Sequence, residues 1–79
     1  MNALRRKTLA KLLDGIEGKL DALLEVIEEE QEALDNTPES LQESDAYIEK
    51  EEALAELIDA QESMVDYIES LRELYGLEG

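Results

Sequence analysis

From Leu9 onward the apolar residues recur at alternating steps of four and three. Leu13, Leu20, Ile27 and Leu34 form one row, and Leu9, Ile16, Leu23 and Glu30 form a second. These are the a and d positions of a heptad repeat. Leu12, Val26 and Ala33 widen the stripe on the g side, and Ala10 and Leu24 widen it on the e side. The pattern predicts a helix over about 2–34, with Asn2 as its N-cap. It resumes after a gap. Tyr47, Leu54, Gln61, Ile68 and Tyr75 fall at a, and Lys50, Leu57, Met64 and Leu71 at d. Ala53, Ala60, Tyr67 and Leu74 fall at g, and Ile58 and Val65 at e. A second helix is predicted over about 45–75, with Gly76 as its stop. Gly15 and Gly18 interrupt the exposed side of the first helix, each costing up to about 1 kcal/mol against alanine.

Between the two stripes lies Leu34-Asp35-Asn36-Thr37-Pro38-Glu39-Ser40, which holds the chain's one proline. Asp35 and Asn36 favour turns because their short side chains bond nearby backbone. Proline biases Thr37 away from helical dihedrals, so the sequence predicts Thr37 as an N-cap and Pro38 as the first residue of a short helix. A break is expected near Glu43 and Ser44, where Ser44-Asp45 offers a fresh N-cap. Turn and short helix together occupy about 35–43. The fold class is all-α: residues 1–79 form one antiparallel helical hairpin.

Both stripes span a, d, e and g, whereas one antiparallel neighbour covers a narrower seam. The hairpin alone is expected to leave much of Leu12, Leu24, Val26, Ile58, Val65 and Tyr67 wet. Two hairpins packed as a four-helix bundle would cover them, and a homodimer is the simplest closed assembly. The residues assigned to core and dimer packing are Leu13, Ile16, Leu20, Leu23, Leu24, Ile27, Leu54, Leu57, Ile58, Met64, Val65, Ile68 and Leu71. A short loop suggests a-against-d pairing, with Leu23 opposite Leu54, Leu20 opposite Leu57 and Gln61 opposite Ile16. Glu30 then falls near Tyr47 and Lys50 as a register-fixing polar layer.

Size and charge sharpen this picture. A 79-residue chain without cysteine has no disulfide staple, so a partner chain is the expected source of further buried surface. The net charge is −15 and unevenly spread. Residues 1–20 carry +3, from Arg5, Arg6, Lys7, Lys11 and Lys19 against Asp14 and Glu17, while residues 21–79 carry −18. Such a balance argues against direct nucleic-acid binding, which needs cations to neutralise phosphates. No apolar run approaches a membrane span of about 20 residues, and a cytoplasmic protein with no membrane role is expected. The basic N-terminal residues are expected to pair with Glu69, Glu73 or Glu78 at the end of the second helix.

Candidate chemistry is sparse. With no histidine and no cysteine there is nothing to activate a nucleophile, and no glycine-rich phosphate loop occurs. The carboxylates show neither a calcium-loop pattern nor the E-x-x-H pair of di-iron bundles. No enzyme activity, catalytic residue, cofactor or metal is expected. Tyr47, Tyr67 and Tyr75 sit at helical spacing on the apolar stripe and read as packing residues. The distinctive feature is an acidic stripe, with carboxylates every three or four residues from Asp45 to Glu73 and again from Asp21 to Asp35. Solvated coiled-coil exteriors commonly mix glutamate with lysine to gain i,i+4 pairs, and lysine is nearly absent here. Glu49, Glu52, Glu56, Asp59, Glu62 and Asp66 form an unbroken row clear of the basic end and are the candidate partner-binding residues.

The stretch Glu29-Glu30-Gln31-Glu32-Ala33-Leu34-Asp35-Asn36-Thr37-Pro38-Glu39-Ser40-Leu41-Gln42 resembles a recurrent segment of small acidic proteins from phages and prophages of Gram-positive gut bacteria. Leu34 and Thr37 stand where that family has an aromatic residue and a methionine. The resemblance covers about a fifth of the chain. It implies an acidic amphipathic hairpin of mobile-element origin and supplies no functional residues. The expected function is a non-enzymatic interaction module: a phage accessory inhibitor that mimics nucleic acid to block a basic, nucleic-acid-binding host protein. The alternative is a structural oligomerisation or scaffold module.

Overall fold

A computed structural model describes residues 1–77. It is a helical hairpin: α1 spans Ala3–Asp35, a single 3₁₀ turn spans Glu39–Leu41, and α2 spans Asp45–Tyr75. The helices lie side by side in a rod of 59 × 16 × 15 Å. Side chains written into the sequence close the helix ends. The Asn2 carboxamide oxygen accepts from the Arg5 N–H at 2.8 Å. The Ser44 hydroxyl accepts from the Tyr47 N–H at 3.2 Å and donates to the Leu41 carbonyl at 2.7 Å. At the other end of α2, Gly76 takes the left-handed conformation, φ 63°, that a side chain would oppose. That turn lets the Leu77 N–H reach back to the Arg72 carbonyl at 2.8 Å. Leu77 thereby folds under the helix end and packs with Leu13, Leu20 and Ile68.

The turn departs from expectation at Thr37 and Pro38. Thr37 does not cap a helix. Its hydroxyl donates backwards to the Ala33 carbonyl at 3.1 Å, which prolongs the end of α1. Pro38 is extended at ψ 141° and stands outside the 3₁₀ turn that follows it. The Gln42 side-chain amide donates to the Thr37 carbonyl at 2.9 Å and ties the loop across its base. The break at Glu43 and Ser44 lies where the sequence places it.

Burial follows the a rows. Leu13, Leu20, Ile27 and Leu34 of α1 are buried, as are Leu54, Gln61 and Ile68 of α2. The d rows are only partly covered: Leu9, Leu23 and Leu57 are half-buried, while Ile16, Met64 and Leu71 are exposed. The a rows lie deepest, and the d residues Leu9, Leu23 and Leu57 pack beside them. Ile27, Leu34 and Leu54 form the cluster nearer the turn, and Leu23 packs against it, in keeping with its expected place by Leu54. Leu57 joins that cluster too, whereas Leu20 belongs to the other, so the expected Leu20–Leu57 pairing is not seen. Gln61 lies in the a row between Leu54 and Ile68 and is the one buried polar residue among those described.

Gly15 and Gly18 have open space where a β-carbon would stand. They neither admit a close neighbour nor adopt a conformation that needs glycine. Replacing both by alanine removes unfolded-chain entropy and improves helix propensity by up to about 1 kcal/mol each. The expected result is a melting temperature raised by roughly 4–8 °C per substitution, measured by circular dichroism.

Candidate protein-interaction surfaces

A helical wheel sets d and g on one side of the buried a row, and e and b on the other. When two such helices run antiparallel, the d and g rows of both share one face and the e and b rows share the opposite face. The structure follows this division. Two shallow hollows on one face are lined by Glu30, Ala33, Ala46, Lys50, Ala53 and Leu57, all d or g residues, together with turn and a-row neighbours. A third hollow on the opposite face is lined by Gln31, Glu51, Ala55 and Ile58 at e and b.

The e/b face is closed by charge. Arg72, at e, donates to Asp14 at 2.8 Å and also pairs with Glu17. The hydrogen bond it donates to Asp14, with Glu17 adding to it, holds the guanidinium above its ordinary range although partial burial opposes this. These are the ion pairs among the described residues. The expected pairing of Arg5–Lys11 with Glu69 or Glu73 is not among them; Glu78 lies outside the described residues. The Arg6 guanidinium instead donates to the Met1 carbonyl at 3.1 Å. Beside the clamp, Val65 and Ile58 are half-buried, so the e side is drier than the sequence suggests; Leu24 remains exposed.

The d/g face is open and apolar. Leu12 (61 %), Val26 (53 %), Tyr67 (71 %) and Leu74 (73 %) all stand in solvent there, beside Ile16, Met64 and Leu71. Of the 22 acidic residues only Glu30 falls at a d or g position of the two helices, and the same face carries Lys19 and Lys50. Glu30, Tyr47 and Lys50 line one hollow, as expected, but Glu30 and Lys50 are exposed and form no ion pair among the described residues.

The acidic row occupies the far side of α2. Glu49, Glu52, Glu56, Asp59, Glu62 and Asp66 are all exposed, and none forms an ion pair among the described residues. Asp21, Glu25, Glu28, Glu32 and Asp35 are likewise exposed on α1. No group of three carboxylates converges as a metal site would require among the described residues. No described helix is long and apolar enough to cross a membrane. Comparison with protein-family models, with curated proteins and with solved structures finds no match to this chain.

Tyr47 carries a titration signature of the turn end. Burial, then the Glu51 carboxylate, then that of Asp35, push its phenol above the ordinary range. A raised folded value means that the folded state holds this proton more tightly. Its contribution to stability is complete below the unfolded value of about 10 and is lost as pH climbs through the folded one. Wild-type urea midpoints should fall between pH 8 and pH 11, and Tyr47→Phe should remove part of that fall. An identical fall in both proteins would show that Tyr47 is not the group responsible.

Proposed function

We propose that this chain is a non-enzymatic interaction module that dimerises into a four-helix bundle and captures a basic partner on its acidic exterior. The observation that carries the reading is the exposed row Glu49, Glu52, Glu56, Asp59, Glu62 and Asp66, which forgoes the lysine pairs that would stabilise its helix. A dimer carries twice −15, or −30, formal charges. Spread along a rod of 59 Å, that is roughly one charge per 2 Å, against about 1.7 Å per charge in duplex DNA. The partner is therefore a protein whose own basic surface takes nucleic acid, and the module competes for that surface. Together with the resemblance of the turn segment to phage proteins, this supports an accessory inhibitor acting in the cytoplasm of a bacterial host.

The exposed d/g face supports a second reading, a scaffold module that assembles other chains and inhibits nothing. One experiment separates the two. The module is immobilised, a bacterial host lysate is passed over it, and bound protein is eluted in rising salt. The eluted partner is then offered duplex DNA and the module together. Mimicry predicts that the partner takes one or the other, with affinity for both falling steeply with salt. Simultaneous, independent binding of both excludes mimicry and leaves the scaffold.

A further inference from the structure

The hairpin exposes 6156 Å². A compact monomer of its mass would expose about 4,800 Å², an excess of roughly 1,300 Å². A standard interface removes about 800 Å² from each partner, so the excess is of the size one stable contact would cover. The open d/g face is the place for it. It collects Leu12, Val26, Tyr67 and Leu74, all more than half exposed, and it nearly lacks the carboxylates that would repel a second copy.

Side-chain size along that face has a direction. On α2 the g row reads Ala46, Ala53, Ala60, Tyr67, Leu74: small toward the turn, large toward the open end. The two hollows lie at the small end, around Ala33, Ala46 and Ala53. Laid against itself in reverse about Ala60, the row sets Leu74 over Ala46 and Tyr67 over Ala53. The matching reversal on α1, about residue 21, sets Leu9 over Ala33 and Ile16 over Val26. Charge runs the same way. Arg5, Arg6, Lys7 and Lys11 of one copy come beside the stretch from Glu28 to Asp35 of the other, which holds five carboxylates. The opposite arrangement, with both turns at one end, would stack large on large at the open end and leave small facing small at the turn. It would also bring the two acidic turns together.

From these three observations we infer that the d/g face binds a second copy of this chain head to tail, related by a twofold axis that crosses the rod near Ala60. Each copy's large open-end residues fill the alanine-lined hollows near the other's turn. The basic ends are neutralised by the partner's acidic turn, which evens the charge of the exterior. The inference rests on the dimeric reading above and adds the face and the direction.

The test uses the full chain with a single cysteine at Glu43, exposed in the turn, carrying a nitroxide label. Light scattering reads the mass and pulsed electron resonance reads the distance. Head-to-tail pairing puts the two labels about 50 Å apart, at 1.5 Å per residue from the axis. Head-to-head pairing keeps them within about 25 Å, because each rod is only 15–16 Å across. A mixture of Ala53→Cys and Tyr67→Cys chains should, under oxidation, yield the mixed disulfide dimer in at least tenfold excess over either homodimer. A dimer with labels within 25 Å, or without the mixed crosslink, overturns the direction while leaving the dimeric reading intact. A monomer at micromolar concentration overturns both.

Discussion

Leu20→Asp should abolish the folded hairpin. Leu20 is 5 % exposed and packs with Leu13, Ile68 and Leu77, with Leu23 and Val65 against them. A carboxylate placed there loses its water and gains no cation, because Arg72 is already engaged by Asp14 and Glu17. An uncompensated buried charge costs several kcal/mol, against a total stability of about 4–12 kcal/mol for a chain of this length. Leu20→Ala provides the graded control at about 2–5 kcal/mol, and Glu25→Gln, on the exposed side, should change little. Helical circular dichroism and urea titration read all three. A Leu20→Asp protein with an unchanged unfolding midpoint would mean that the a rows do not form the seam. Leu23→Asp and Leu57→Asp ask a different question, since both residues are half-buried in one hairpin. A second copy would cover them further, so their destabilisation should grow with protein concentration.

The helices, their ends at Asn2, Ser44 and Gly76, and the buried a rows were all legible in the order of residues, because each follows from spacing or from a cap that bonds locally. The direction in which the seam leans was not. An apolar stripe covering a, d, e and g offers two ways to tilt toward a single neighbour, and local pattern does not choose between them. The choice follows from a long-range pair: Arg72 at e reaches Asp14 and Glu17 across the hairpin and closes that side. The signal was present as one of only two cations after residue 20, standing at an e position opposite acids at b and e. Leu77 was also missed as a core residue. An apolar residue directly after a C-terminal glycine is its mark, because the left-handed turn swings that side chain back against the preceding helix. At Thr37 the general preference of proline for a first helical position lost to a specific bond, the hydroxyl returning to Ala33. The acidic row could be read in full from the sequence, since every member is a surface residue whose place depends only on helical period.

Reversing Glu52, Glu56 and Asp59 to lysine should abolish capture of a basic partner and leave the fold intact. All three are exposed, and none makes a side-chain hydrogen bond or ion pair among the described residues, so the seam does not depend on them. Each protomer would move from −15 to −9, with the change concentrated at the centre of the proposed contact row. The helix itself should not suffer. The new cations at positions 52 and 59 gain acidic neighbours three residues away, Glu49 and Glu62, where the natural side chains repel, and such pairs are worth about 0.2–0.5 kcal/mol each. The melting temperature should therefore hold or rise while binding disappears, a combination that damage to the fold cannot produce. Binding read at several salt concentrations gives the second measure. If long-range charge drives capture, the natural protein's affinity falls steeply with salt, and the triple variant shows at least a hundredfold weaker binding at low salt. Restoring the acids by Lys→Glu at the same three positions should bring capture back. Undiminished capture by the triple variant would remove this row from the contact and, with it, the mimicry of nucleic acid. The open apolar face would then be the module's working surface.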